Sequence, residues 1–204
     1  MSGDDKLDWI WSTPDEGALI ERYDAWAASY DDDHDLWGWD GPMDAVEALL
    51  AHMAPGRVLD AGCGTGRVGA ELRNRAWAGH LIGVDISFGM IGRAVARGYD
   101  ELVQASLHAI PIDTAGVDAI VSAGVFTHGH VGHEAFPELI RVTAPGGTIV
   151  ITSREEVWEA MSPHAAALEA AGAWSRVART EPRSFHPQRA ADGRPQSIIV
   201  WQVH

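Results

Sequence analysis

The 204-residue sequence contains one cysteine, Cys63, so no intrachain disulfide can form. That suits a reducing compartment. Basic residues are scarce. There are 15 Lys and Arg against 29 Asp and Glu, a formal net charge of −14. A surface of that sign repels phosphate, which excludes nucleic acid and anionic membranes as expected partners. No uninterrupted apolar run approaches the roughly 20 residues that a bilayer span needs. Residues 1–11 are acidic and lack the basic-then-apolar order of a secretion signal. Internal repeats and low-complexity segments are also absent. The expectation is a soluble, cytoplasmic protein, and no oligomeric state follows from the pattern.

What is present is 46% hydrophobic residues in a length suited to one core. Thr13, Pro14 and Glu16 have the arrangement of a helix start, with Thr13 as cap, Pro14 at the first helical position and Glu16 placed for a capping box. Leu19, Ile20, Tyr23 and Trp26 then recur at helical spacing, which predicts a helix over 13–29 broken by the acidic stretch 31–35. A second helix follows Pro42, carries Val46, Leu49, Leu50 and Met53, and ends at Pro55-Gly56.

From Arg57 onward short apolar runs alternate with amphipathic ones. Strands are predicted at 57–60, 80–85, 101–105, 117–123 and 148–153, with helices at 66–75, 87–97, 133–143 and 155–171. Two further strands, 175–182 and 197–203, are joined by a polar loop containing Pro187, Gly193 and Pro195. The alternation predicts an α/β fold: a Rossmann-like, doubly wound, mostly parallel seven-stranded sheet covered by helices. Its C-terminal strands, having no helix between them, form an antiparallel hairpin. Residues 1–41 are expected to be a helical extension or lid, and 42–204 a single structural unit. Ligands of such sheets bind beyond the carboxyl ends of the strands, where strand order reverses.

The most informative segment is Asp60-Ala61-Gly62-Cys63-Gly64-Thr65-Gly66, a strand running into alternating glycines ahead of a helix. Glycine permits positive φ and close approach of a ligand, and the helix start offers free N–H groups. A dinucleotide fingerprint would need glycine at the sixth loop position. Arg67 stands there, which argues against a nicotinamide oxidoreductase. Asp85 ends the next strand, in Gly83-Val84-Asp85-Ile86-Ser87. Alone it would be a helix cap, but beside the glycine loop it is a candidate for the ribose hydroxyls.

These two motifs, followed by Arg141-Val142-Thr143-Ala144-Pro145-Gly146-Gly147-Thr148, resemble the ordered motifs of class I S-adenosylmethionine-dependent methyltransferases. Residues 23–31 and 124–131 resemble, more narrowly, the methyltransferase-like 27 (Williams–Beuren region) subgroup. The resemblance implies S-adenosylmethionine as cofactor and S-adenosylhomocysteine as product. Asp60, Ala61, Gly62, Cys63, Gly64 and Gly66 would hold the methionine part, with Asp60 near the ammonium. Asp85 would take the ribose. Ile86 and Met90 would flank the adenine, with Leu107 offering its N–H and Ser106 a weaker, neutral acceptor. Many members carry an acid in the region that Gln104-Ala105-Ser106 occupies here. Tyr23 and Tyr30 would close over the cofactor, and Ala123 and Gly124 would line the transfer site. Cys63 reads as a small packing residue.

A small-molecule O, N or S nucleophile is the expected methyl acceptor. A non-methylating S-adenosylmethionine-binding protein or a cyclase on the same fold is the alternative. His128, His130 and His133 follow the fourth strand. His128, nearest its end, is the expected general base. No metal is expected there. Trp9, Trp11, Trp26, Trp37 and Trp39 precede the first strand. They serve either as glue for the extension or as a cover for an apolar acceptor.

Overall fold

The computed structural model describes residues 3–13, 15–53, 56–186, 188 and 195–204. Pro14, Pro55, Pro187 and Gly193, given local roles above, lie outside the described residues. Four helices come first: α1 (Gly3–Trp11), α2 (Glu16–Trp26), α3 (Tyr30–Trp37) and α4 (Gly41–His52). Then β1 (Arg57–Ala61), α5 (Arg67–Asn74), β2 (His80–Asp85), α6 (Phe88–Ala94) and β3 (Glu101–Gln104) alternate. The chain continues through β4 (Val117–Phe126), a short 3-10 turn at His133–Ala135, α7 (Phe136–Val142), β5 (Thr143–Arg154), α8 (Glu155–Ala170), β6 (Trp174–Arg179) and β7 (Gln196–Val203).

The seven strands lie in the order β3-β2-β1-β4-β5-β7-β6. All pairings are parallel except those of β7, which runs antiparallel to β5 and β6. Order reverses between β1 and β4, and the crevice opens there. Strand alternation decides which side chain meets which layer. Leu59, Ile120, Ile149 and Trp201 join Phe136, Leu139 and Trp158 on one face. Their neighbours Val58, Val121, Val150 and Val200 join Val46, Leu49, Val68 and Leu72 on the other. A third cluster belongs to the N-terminal helices and contains Leu7, Ile10, Leu19, Trp26 and Trp37. Trp26 and Trp37 are therefore core residues of the extension.

The N-terminal region departs from expectation in three ways. Residues 3–11 form a helix, anchored by Leu7 and Ile10, both buried. The cap of α2 is Asp15, whose Oδ1 accepts from Ala18 N at 2.8 Å. Thr13 instead donates its hydroxyl to the Ile10 carbonyl and closes α1. The acidic stretch 31–35 does not break the chain but builds α3. Asp31, Asp32 and Asp33 stand in its first turn, where the exposed N–H groups favour negative charge. Asp33 also receives Lys6 Nζ at 2.5 Å and Trp26 Nε1 at 2.6 Å.

Candidate functional site

The β1–α5 loop is held by backbone bonds, in a conformation whose positive φ values at Gly62, Gly64 and Gly66 favour glycine. Gly62 N and Cys63 N both donate to the Val84 carbonyl, at 2.8 and 3.0 Å, and Gly66 N donates to the Cys63 carbonyl at 2.8 Å. Gly62 sits at φ +79°, and a Cβ there would stand 2.2 Å from Val125 Cγ2. Gly64 has φ +53° and open space where its Cβ would be. Its N–H donates to Asp85 Oδ2 at 2.8 Å, while Asp85 Oδ1 accepts from Ser87 N at 2.8 Å. Burial pushes the Asp85 carboxyl above its usual range, against the lowering effect of those N–H donors, and the neighbouring Asp24 adds to the rise.

Asp60 is fully buried at the end of β1. Tyr99 Oη donates to its Oδ2 at 2.5 Å, and among the described residues its Oδ1 has no hydrogen-bond partner. Burial pushes its carboxyl up to about 7, outweighing the Tyr99 hydrogen bond, with Asp85 adding to the rise. Cys63 is buried as well, and desolvation raises its thiol further from the reactive thiolate.

A cavity of about 410 Å³ lies over these strand ends. Of the expected site residues, Tyr23, Tyr30, Gly62, Gly64, Asp85, Ile86, Met90, Ser106, Leu107, Ala123 and Gly124 line it. Asp60, Ala61, Cys63 and Gly66 do not. Asp60 and Ala61 end β1 beneath the loop, and Cys63 and Gly66 belong to the loop but stand outside the lining. Gly124 is a left-handed residue at φ +79° in a bulge of β4, and its N–H bonds Thr152 Oγ1 at 2.8 Å. That irregularity sets Gly124 at the cavity while Phe126 beyond it still pairs with Ser153 of β5.

The three loop histidines diverge. His128, expected to face the acceptor, is 55% exposed and sits outside the cavity, its Nε2 3.2 Å from Glu156 Oε1. The turn after β4 directs its side chain toward α8. His133 stacks on His164 with ring centroids 3.5 Å apart. His130 does line the cavity. Its Nδ1 lies 2.6 Å from the His128 carbonyl and can only donate there. Nε2 is then left as acceptor for the Tyr23 hydroxyl, also at 2.6 Å. Desolvation lowers the His130 imidazole to about 4, helped by nearby Arg154 and opposed by the His128 carbonyl. Burial raises the Tyr23 phenol well above its usual range, with Tyr30 and Asp85 adding to it.

Sequence reasoning missed several contributors. Tyr99 carried no motif, because its link to Asp60 spans 39 residues. Glu16, whose spacing from Thr13 suits a capping box, lines the cavity. Asp31 binds the loop by accepting from Thr65 Oγ1 and Arg97, each at 2.6 Å. Of the remaining tryptophans, Trp39 packs against Gly124 and Trp11 lies under the Arg154 guanidinium.

A family profile described as a methyltransferase domain matches residues 59–151. Methyltransferase-like protein 27 of Homo sapiens is 36% identical over 174 residues, covering 79% of this chain and 70% of the human protein. A malonyl-acyl-carrier-protein O-methyltransferase of a Methylovorus strain is 32% identical over 114 residues, 51% of this chain and 38% of that enzyme. The chain thus spans well under half of that relative's length. Among solved structures, a chain from the Haloferax volcanii complex between the Trm112 methyltransferase activator and a methyltransferase superposes with a TM-score of 0.68. It is 19% identical, and the match covers 90% of this chain and 96% of that one, a likeness of fold.

Proposed function

The chain belongs to the class I S-adenosylmethionine-dependent methyltransferases, and from that premise we propose that it methylates an O, N or S nucleophile on a small molecule. The observation that carries this reading is the cavity itself. It is closed on one side by α2 and α3 and lined by side chains suited to a compact ligand. The net charge of −14 offers no basic track for a nucleic acid.

The residues fit the cofactor in two places. Asp85 spends one lone pair of each oxygen on Gly64 and Ser87 and has others to accept two ribose hydroxyls. Asp60 Oδ1 has no partner among the described residues, but it is fully buried and outside the cavity lining, so in this conformation it braces the loop from behind and does not reach the ammonium position. Open space above Gly64 lets a ligand rest on the loop backbone. Bound S-adenosylmethionine supplies an electrophilic methyl carbon on a sulfonium.

The protein's task is then alignment in a site sheltered from water. Tyr23, Tyr30 and Gly124 border the space left for the nucleophile. In our reading the proton-accepting role passes from His128 to His130. Tyr23 Oη commits its proton to His130 Nε2 and presents only lone pairs to the cavity. A nucleophile's O–H, N–H or S–H would donate to that oxygen as the phenolic proton passes to Nε2, a transfer that works against an imidazole held near 4.

The test is transfer of labelled methyl from the cofactor to a panel of phenols, amines, thiols and carboxylic acids. Label in the extracted small-molecule fraction is expected. Label appearing only on added protein or nucleic acid would overturn the acceptor class. Cofactor binding with no transfer to any acceptor would favour the non-methylating alternative.

A further inference from the structure

After β3, where an acid would recognise the adenine amino group, this chain has Gln104-Ala105-Ser106. The Gln104 side chain turns away and donates to the Ile86 carbonyl at 3.0 Å. Ser106 Oγ, however, lies 3.5 Å from Glu16 Oε2, a residue 90 positions earlier in the chain. Both line the cavity, as do Ile86, Met90 and Leu107, the residues expected around the adenine. Glu16 is the first residue of α2, and helical side chains lean toward the N-terminus, so its carboxylate reaches past the helix end.

Three carboxylates line the cavity among the described residues: Asp15, Glu16 and Asp85. Asp85 is engaged by Gly64 and Ser87 at the ribose position. Asp15 caps α2 through Ala18 N. Among the described residues Glu16 has no comparable duty, only the long contact with Ser106. An exocyclic amine presents N–H donors and calls for an acceptor, and a charged acceptor makes about twice as strong a bond as a neutral one.

We propose that Glu16 is the adenine-reading acid of this protein, supplied by the N-terminal helix in place of the missing residue after β3. Its carboxylate accepts from the 6-amino group, with Ser106 orienting it. The inference rests on the cofactor lying in this cavity as described above. A hypoxanthine ring carries a carbonyl at the same position. Its oxygen would face the carboxylate, acceptor against acceptor, so Glu16 should set base selectivity as well as affinity.

The test is calorimetric binding of S-adenosylhomocysteine and its deaminated analogue S-inosylhomocysteine. It uses the wild-type chain, Glu16→Gln, Glu16→Ala, and Glu21→Gln as an exposed α2 control. Wild type should prefer the adenine ligand by about tenfold or more, the scale of one charge-assisted hydrogen bond. Glu16→Ala should weaken the adenine ligand by roughly that factor and leave the inosyl ligand as tight as before or tighter, since the opposing acceptor is gone. Glu16→Gln, whose amide can turn to donate or accept, should bring the two ligands to similar affinity. Glu21→Gln should match wild type. Unchanged selectivity in both Glu16 variants would overturn the assignment. So would an equal loss for both ligands, which would make Glu16 a support of the helix. Failure of S-adenosylhomocysteine to bind wild type would instead sink the cavity reading itself, and the role of Glu16 with it.

Discussion

Asp60 and Asp85 end adjacent strands, and both carboxyls are raised by burial. For Asp60 the consequence for stability has a definite sign. The unfolded chain releases this proton near 3.8, while the ligand-free fold holds it to about 7. Folding stability therefore falls as pH rises across that window. In Asp60→Asn the slope of unfolding free energy against pH should be flatter between those values. Urea unfolding at several pH values checks this, and an unchanged slope would show that Asp60 is ionised throughout. At His130 the sign is opposite. Its imidazole, lowered to about 4, faces Tyr23 and feels Arg154, and it stays neutral above that value. Once an acceptor is known, turnover should show no acid limb near the ordinary imidazole value of about 6.5. His130→Ala should lower turnover by roughly 10²–10⁴-fold with little change in cofactor affinity. An equal or larger loss in His128→Ala would return the role to His128.

At the scale of elements, the glycine loop and the N-terminal helices form one assembly. Gly62 combines positive φ with a contact to Val125 that leaves no room for a methyl. Gly62→Ala should therefore cost stability and also displace the loop that carries Gly64 toward Asp85. Thermal melts and cofactor titration should both worsen. A variant that melts and binds like wild type would mean the loop relaxes freely. The second device is a latch. Asp31 of α3 accepts from Thr65 and Arg97, and Asp24 of α2 accepts from Ser87 Oγ at 2.5 Å and Gly89 N at 2.8 Å. Such partly exposed contacts contribute about 1 kcal/mol or less each. Asp31→Ala should thus lower amide protection of residues 16–37 by up to about fivefold, while the central strands are unaffected. Adding S-adenosylhomocysteine should restore part of that protection. Unaltered exchange in the variant would remove Asp31 as a latch.

For the molecule as a whole, ligand binding and folding are linked. S-adenosylhomocysteine at a hundredfold over its dissociation constant should stabilise the native state by about 2.7 kcal/mol, read as a rise in melting temperature. The sheet depends on side chains drawn from the whole length of the chain. Trp201 on β7 stacks on Trp174 with centroids 4.6 Å apart, while Val200 beside it faces the layer of α4. The loops that line the cavity at one end of that sheet should therefore melt with it. A separate low-temperature transition insensitive to ligand would contradict this.

The sequence by itself determined the layered architecture, because strand and helix periodicities are local and the alternation from Arg57 onward leaves few topologies. It also determined the loop around Gly62 and Gly64 and the acid at Asp85, since strand ends and turns are written in neighbouring residues. It did not reveal α1 or α3. Charge runs such as 31–35 read locally as breakers and become helical through tertiary partners such as Lys6, Arg67 and Arg97. Nor could it decide which histidine enters the cavity. His128 and His130 are two positions apart on a turn, and only the packing of Tyr23 and Glu156 sorts them. Tyr99 reaches Asp60, and Glu16 reaches Ser106, across distances in sequence that no motif spans. Such pairings arise only when the sheet brings the ends of its strands together beneath the N-terminal helices.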